Sequence, residues 1–375
     1  MAYQQLSPTP RLLMGPGPSN VHPRILQAMA LPCIGHLDPD FVALMEETKA
    51  MQREVMLTKN ELTIPVSGTG SAGMEACVCN LVEPGDRVLV CINGVFGQRM
   101  ADVAGRYGAQ VSTVEAPWGE AIPVQAIAEA VEREHPKVVG IVHAETSTGV
   151  LQPLEEVSRI VHDAGAFFLV DTVTSLGGHP VRVDEWRIDA CYSGTQKCLG
   201  VPPGLAPVSF SPRAMECILG RKTKVANWYL DMTMVSKYWG QDRTYHHTAP
   251  VNMIYSLREG LKLILEEGLE ARWARHKANH DLLVAGLAKM GLGLWPEEQY
   301  SLWSLNAVKV PEGIDEAAVR QYLLREYSLE IGAGLGELKG KVWRVGLMGY
   351  TSLRQNVALF LTALQEALAV QGYGA

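Results

Sequence analysis

The feature that most limits how this chain can fold is an alternation. Short runs dominated by apolar and β-branched residues recur at 62–66, 88–92, 138–142 and 166–170, and helix-compatible segments separate them, among them 127–134 and 154–164. Strands buried on both faces read as unbroken apolar runs rather than as alternating ones. Strand, helix, strand, helix in this rhythm predicts an α/β fold, a mostly parallel sheet flanked by helices. The chain has 375 residues, 47% of them hydrophobic, enough for a large core and a second domain. The expected organisation is an N-terminal arm at 1–20, a large domain at 21–267 and a small C-terminal α+β domain at 268–375. Long amphipathic helices at 250–267 and 269–290 flank the boundary. Beyond it, strands at 302–310 and 341–347 bracket a helix at 316–327. The stretch 222–239 reads as aromatic and irregular.

Open α/β sheets carry their chemistry at the carboxyl ends of the strands. The run 166–170 ends in Asp171, and a second short strand, 190–193, leads into Ser193-Gly194-Thr195-Gln196-Lys197. The plain reading of a lysine delivered beside a carboxylate is an ion pair. Lys197, however, lies among Ser, Gly, Thr, Gln and Cys rather than on a charged helix face. A lysine desolvated in such surroundings has a lowered pKa and is nucleophilic toward carbonyls. Pyridoxal phosphate needs such an amine for its Schiff base and an acid on its pyridinium nitrogen. Lys197 and Asp171 are therefore the catalytic pair expected here.

The strand at 62–66 runs into Ser67-Gly68-Thr69-Gly70-Ser71-Ala72-Gly73, with a helix expected from Met74. The spacing Gly68-x-Gly70-x-x-Gly73 matches the dinucleotide fingerprint and leaves an NAD-dependent oxidoreductase as the alternative. That reading wants an acidic residue after the next strand, where this sequence has Asn93. A strand-to-helix turn of glycines and hydroxyls holds any phosphate, so Thr69, Gly70 and Ser71 are the expected phosphate cup. Phe96, between glycines at the same edge, can stack on a flat ring or serve as a core residue. Thr146, in the run Glu145-Thr146-Ser147-Thr148-Gly149, suits the ring oxygen or a substrate carboxylate, with a helix cap as its competing role. Arg344 sits between apolar neighbours in a strand, and a guanidinium there needs a carboxylate, internal or from substrate. Gly15, in the rigid Gly15-Pro16-Gly17-Pro18-Ser19 stretch, is expected to lend backbone to a pocket.

Composition narrows the partners. A net charge of −7 argues against nucleic acid. No apolar run reaches transmembrane length, and residues 1–20 are too polar for a signal peptide. The seven cysteines include no Cys-x-x-Cys and are odd in number, as in a reduced, cytoplasmic enzyme. The adjacent His246 and His247 point to different sides of most elements, so no metal site is expected.

Taken in order, Gly15-Pro-Gly-Pro-Ser-Asn20, Ser67-Gly68-Thr69-Gly70, Asn93-Gly94-Val95-Phe96-Gly97-Gln98-Arg99 and Glu145-Thr146-Ser147-Thr148-Gly149 resemble the class V, fold type I pyridoxal-phosphate aminotransferases. Val170-Asp171-Thr172-Val173, Ser193-Gly-Thr-Gln196-Lys197, Tyr245-His-His-Thr248 and Trp343-Arg344-Val-Gly346 extend that resemblance through nearly the whole chain. It is closest to the alanine–glyoxylate / serine–pyruvate aminotransferases. The resemblance implies amino transfer from alanine or serine to glyoxylate or pyruvate. It implies that Lys197 carries the cofactor and Asp171 pairs with the pyridinium, with Val173 and Gln196 beside them, and that Arg344 binds the substrate carboxylate. It also implies a homodimer in which Tyr245 and Thr248 of one subunit reach the phosphate of the other. Animal members carry Trp where Phe96 stands and Ser-Gly-His where Thr69-Gly70-Ser71 stands, which leaves the donor open. A cysteine desulfurase, the other class V alternative, needs a mobile cysteine toward the C-terminus, and none follows Cys217.

Overall fold

The computed structural model describes residues 5–374. Seven strands form the large sheet: β1 Leu62–Ser67, β2 Arg87–Ile92, β3 Gln110–Glu115, β4 Val138–Val142, β5 Phe167–Asp171, β6 Ala190–Tyr192 and β7 Leu205–Phe210. Their order across the sheet is β1-β7-β6-β5-β4-β2-β3. Only β7 is reversed; every other pairing is parallel. The carboxyl ends of β1, β2, β4, β5 and β6 therefore share one edge. β4 and β7 are buried at every position, as strands between two helical layers should be.

Four details differ from the sequence reading. The helix expected from Met74 begins at Gly70, because its glycine-rich first turn, a poor helix former by propensity, is packed against β6 and β7. Gly73 makes that packing close: a Cβ there would lie 2.9 Å from Tyr192 Cβ and 3.0 Å from Ala206 Cβ. β3 went unread because it is an edge strand with a half-exposed, largely polar sequence. The stretch 222–239 contains a helix, Met232–Trp239, capped by the Asp231 carboxylate. The C-terminal helix Arg354–Val370 also went unread; its buried Val357, Phe360, Leu364 and Leu368 recur at helical spacing.

The C-terminal sheet has β10 Val342–Gly346 at its centre, antiparallel to β8 Leu305–Lys309 and β9 Gly332–Ala333. Glu316–Tyr327 and Arg354–Val370 contribute to its core, which also takes in Leu283, Leu287 and Met14 of the arm. The helix Leu269–Lys289 gives Leu269 and Trp273 to the large core but Leu283 and Leu287 to the small one.

The arm is built into the fold from Leu12 onward. Leu12–Leu13 pairs in parallel with Leu329–Glu330, and Met14 O accepts from Gly346 N at 2.7 Å. Farther on, Ser19 donates from its N–H to Gln196 O and from its hydroxyl to Lys197 O, both at 2.9 Å. Residues 12–20 thus strap the small sheet to the turn that carries Lys197.

Candidate active site

Asp171 is the last residue of β5 and Tyr192 the last of β6, its parallel neighbour, and the two face each other in register. Tyr192 Oη donates to Asp171 Oδ2 at 2.7 Å, and Val173 N–H donates to Oδ1 at 2.8 Å. The carboxyl group is 2% exposed, and burial raises its pKa to about 7 against the pull of these two donors. A cation brought against it regains the lost charge stabilisation. Tyr192 was not anticipated, although its place at the end of a strand beside Asp171 was the available signal.

Lys197 follows β6 by five residues and is buried as well. Among the described residues it makes no ion pair, which removes the plain reading of the Asp171–Lys197 pair. Its ammonium donates to Pro16 O of the arm, and its stem lies over Gly17, where a Cβ would come within 2.8 Å of Cδ. Desolvation lowers its pKa to about 8, the charge of Arg344 pushes the same way, and Asp171 and Glu145 oppose. An amine in that state is neutral in a useful fraction near neutral pH.

Both groups line a cavity of about 220 Å³ together with Thr69, Gly70, Ser71, Phe96, Thr146, Val173 and Gln196. The helix Gly70–Leu81 points its N-terminus into it. Thr69 is the N-cap but makes no side-chain cap bond, and the N–H groups of Gly70 and Ser71 meet no acceptor among the described residues. Free N–H groups, two hydroxyls and the positive end of a helix form an anion seat. Gly68 makes the turn possible, with φ +149° and only 2.6 Å between a Cβ there and Ala72 Cβ. Gln196 Oε1 is buried in the protein without a partner, so the cavity also offers an unsatisfied acceptor.

Phe96 is held by an arrangement that sequence did not reveal. The Glu145 carboxylate caps the helix Val95–Arg106, accepting from Phe96 N at 3.1 Å and Gly97 N at 3.3 Å. Ser147 donates to its other oxygen from both N–H and hydroxyl. Thr146 Oγ1 is paired with Thr174 Oγ1 at 2.5 Å.

Arg344 lies next to the cavity rather than in its wall. Nε donates to Ala333 O at 2.7 Å and Nη1 to Thr146 O at 3.4 Å, with no carboxylate in ion-pair range among the described residues. Burial lowers its pKa to about 10 while Glu145 raises it. Of the two partners open in the sequence, no internal carboxylate is present among the described residues, so the guanidinium carries its charge without an ion-pair partner there. Gly15 passes beside the same strand: a Cβ on Gly346 would meet Gly15 O at 2.0 Å. Tyr245 and Thr248 are not brought to the cavity of their own chain; both are exposed, Tyr245 by 58%.

The dinucleotide reading fails on topology. In that unit the first two strands are parallel neighbours, whereas β1 and β2 lie near opposite edges of this sheet and β1 is paired to the reversed β7. Nor is Cys198, the cysteine nearest the amine, available as a mobile nucleophile: it is fully buried and its pKa is pushed up to about 11.

The family profile "Aminotransferase class-V" matches residues 23–353. The chain is 40% identical to (S)-ureidoglycine–glyoxylate transaminase of Bacillus subtilis, over 96% of this chain and 90% of that one. It is 42% identical to alanine–glyoxylate aminotransferase of Drosophila melanogaster, over 96% of this chain and 92% of the relative. The crystal structure of alanine–glyoxylate aminotransferase from Nostoc sp. superposes with a TM-score of 0.97 at 51% identity, covering 98% of each chain. An amine and a carboxyl group at adjacent strand ends, with an anion seat at a helix N-terminus, thus occur in a chain that belongs to the class V aminotransferases, the pyridoxal-phosphate-dependent enzymes of fold type I.

Proposed function

We propose that this aminotransferase moves the amino group of alanine or serine to glyoxylate, with pyruvate as a second acceptor, in an active site completed by a second copy of the chain. The observation that carries the chemistry is the buried, carboxylate-free Lys197 in one cavity with the buried Asp171. Glyoxylate is common to the names of both relatives, which differ in the donor. A small pocket favours a small donor, and a hydroxyl adds little bulk, so alanine and serine are discriminated weakly.

Bound pyridoxal phosphate supplies an aldehyde for amine condensation and a ring that withdraws electrons from the substrate carbon. The remaining work falls to residues of this chain. The N–H groups of Gly70 and Ser71, with the Thr69 and Ser71 hydroxyls, would hold the phosphate. Phe96 would pack against the ring, and Asp171, oriented by Tyr192 and Val173, would keep the proton on the ring nitrogen. Lys197 would hold the cofactor through its amine and, when that amine is free, would serve as the general base that takes the substrate α-proton and returns it. Arg344 binds the substrate carboxylate by its two-pronged fork and sets which α-bond faces Lys197.

The second copy is supported by what is exposed. Trp228, Tyr229 and Tyr245 are 61%, 40% and 58% exposed. Trp228 and Tyr229 form an aromatic patch with His246 and His247, ring centroids 4.5 to 6.2 Å apart, while the Tyr245 ring lies 5.4 Å from that of His36. Thr248 is exposed on the same segment. In a homodimer this patch would be covered, and Tyr245 and Thr248 would reach the partner's phosphate. Mixing Lys197→Ala chains with Tyr245→Ala chains should then restore activity that neither has alone. The cytoplasm is the compartment we assign, consistent with seven unpaired cysteines.

The substrate assignment is tested by initial rates for alanine, serine and (S)-ureidoglycine against glyoxylate and pyruvate. Alanine or serine with glyoxylate should give the highest kcat/KM; a tenfold preference for ureidoglycine would overturn the donor assignment.

A further inference from the structure

Arg99 is a cation that neither the mechanism above nor the packing of the protein accounts for. It lies three residues after Phe96 on the helix Val95–Arg106, so the two side chains share a face. Its guanidinium stands 4.9 Å from the Phe96 ring centroid, and Nη1 donates to Ser71 Oγ at 3.3 Å. It lines the cavity that holds Lys197, on the side of the Gly70–Ser71 turn. The carboxylates nearby are engaged elsewhere: Glu145 with Phe96, Gly97 and Ser147, and Asp171 with Tyr192 and Val173. Among the described residues Arg99 has no acidic partner.

A phosphate dianion in the Gly70–Ser71 seat needs more than neutral donors. The helix end contributes about half a unit of charge, and only over its first turn. A guanidinium adds a full charge and a planar fork matched to phosphate oxygens. Stacking on Phe96 limits the rotamers open to that fork. We propose that Arg99 is a phosphate-recognition residue for the cofactor, joining the helix N-terminus on one side while Phe96 positions both the guanidinium and the ring. The inference rests on the phosphate seat assigned above. It adds a specific role for the last residue of the 93–99 segment: Arg99 reads the phosphate and not the ring.

That distinction sets the test. Cofactor-free wild type and Arg99→Gln are titrated with pyridoxal phosphate and with pyridoxal, which has the same aldehyde and ring but no phosphate. Binding is followed by the visible absorbance of the covalently held aldehyde, without any turnover. Loss of a charge-assisted contact should weaken pyridoxal phosphate about tenfold or more in Arg99→Gln and leave pyridoxal within about twofold. Arg99 is exposed, and the ratio of the two affinities within one variant cancels any general loss of folding. Equal weakening of both ligands would overturn the proposal, since Arg99 would then act through Phe96 and the ring. So would an unchanged ratio with unchanged affinities. If wild type itself binds pyridoxal as tightly as its phosphate ester, the seat fails and the role of Arg99 falls with it, whereas a wild-type preference that survives in Arg99→Gln condemns the role of Arg99 alone.

Discussion

Replacing Tyr192 by phenylalanine removes one hydroxyl from a carboxyl group that has two donors in the protein. The ring stays, so no cavity opens in a fully buried site. The hydroxyl is a donor at every working pH, because burial and Asp171 push its pKa well above the usual 10. A hydrogen bond to a charged group contributes about 1.5–3 kcal/mol, so its loss should raise the Asp171 pKa from about 7 by about 1 to 2. The consequence for cofactor binding depends on pH. Above both values Asp171 is ionised with or without cofactor, the lost bond cancels, and affinity should match wild type within about twofold. Below both values the empty site is protonated and the bound site is not, so affinity for pyridoxal phosphate should fall about 10- to 100-fold. The assay is a titration of cofactor-free protein at pH 6 and pH 9.5, read as the ratio of variant to wild-type Kd. Taking the ratio removes the titration of Lys197 and of the cofactor, which both proteins share. A loss of equal size at both pH values would mean damaged packing, and no loss at either would mean that Asp171 does not hold the ring-nitrogen proton; both refute the reasoning.

Lys197→Ala should bind pyridoxal phosphate without the visible absorbance of a lysine-bound aldehyde and should show no turnover; measurable transamination by that variant rejects Lys197 as the base. Arg344→Lys keeps the charge but not the fork, and should raise KM for glyoxylate about 10-fold or more with a smaller change in kcat, checked by steady-state kinetics at fixed donor. Asp171 also predicts a pH dependence of stability in the cofactor-free protein. Its folded pKa of about 7 exceeds the ordinary 3.8, so the folded state keeps a proton that the unfolded state has lost. Stability therefore falls as pH rises from about 4 to about 7, by up to about 4 kcal/mol from this residue. The Tm of Asp171→Asn minus that of wild type should grow across that window, and a constant difference would contradict the buried titration.

Much of the fold was legible because burial on both faces leaves a mark on strand sequences. β2, β4 and β5 announce themselves as apolar runs, and the chain order then gives the parallel sheet. β3 left no such mark, since an edge strand is free to alternate polar residues. The helix start at Gly70 was hidden for the opposite reason: glycines with low helix propensity were required there by the close approach to Tyr192 and Ala206. Among the candidate site residues, those on the turns after strands were readable from local chemistry, as with Lys197, Asp171 and the Thr69–Ser71 turn, which line one cavity. Tyr192, the Glu145 cap under Phe96 and the contact of Arg99 with Ser71 were not, because each joins residues more than twenty positions apart.

Which groups the sheet edge carries follows from local sequence, since strand periodicity and turn chemistry are written into a few consecutive residues. Their protonation and orientation come from long-range packing. The pairing of β5 with β6 sets Tyr192 against Asp171, and the strap from Leu12 to Ser19 lays Pro16 and Gly17 over Lys197. Burial by those distant segments is what shifts the acid up and the amine down, and the free energy of desolvation belongs to the whole assembly of contacts rather than to any one stretch of chain.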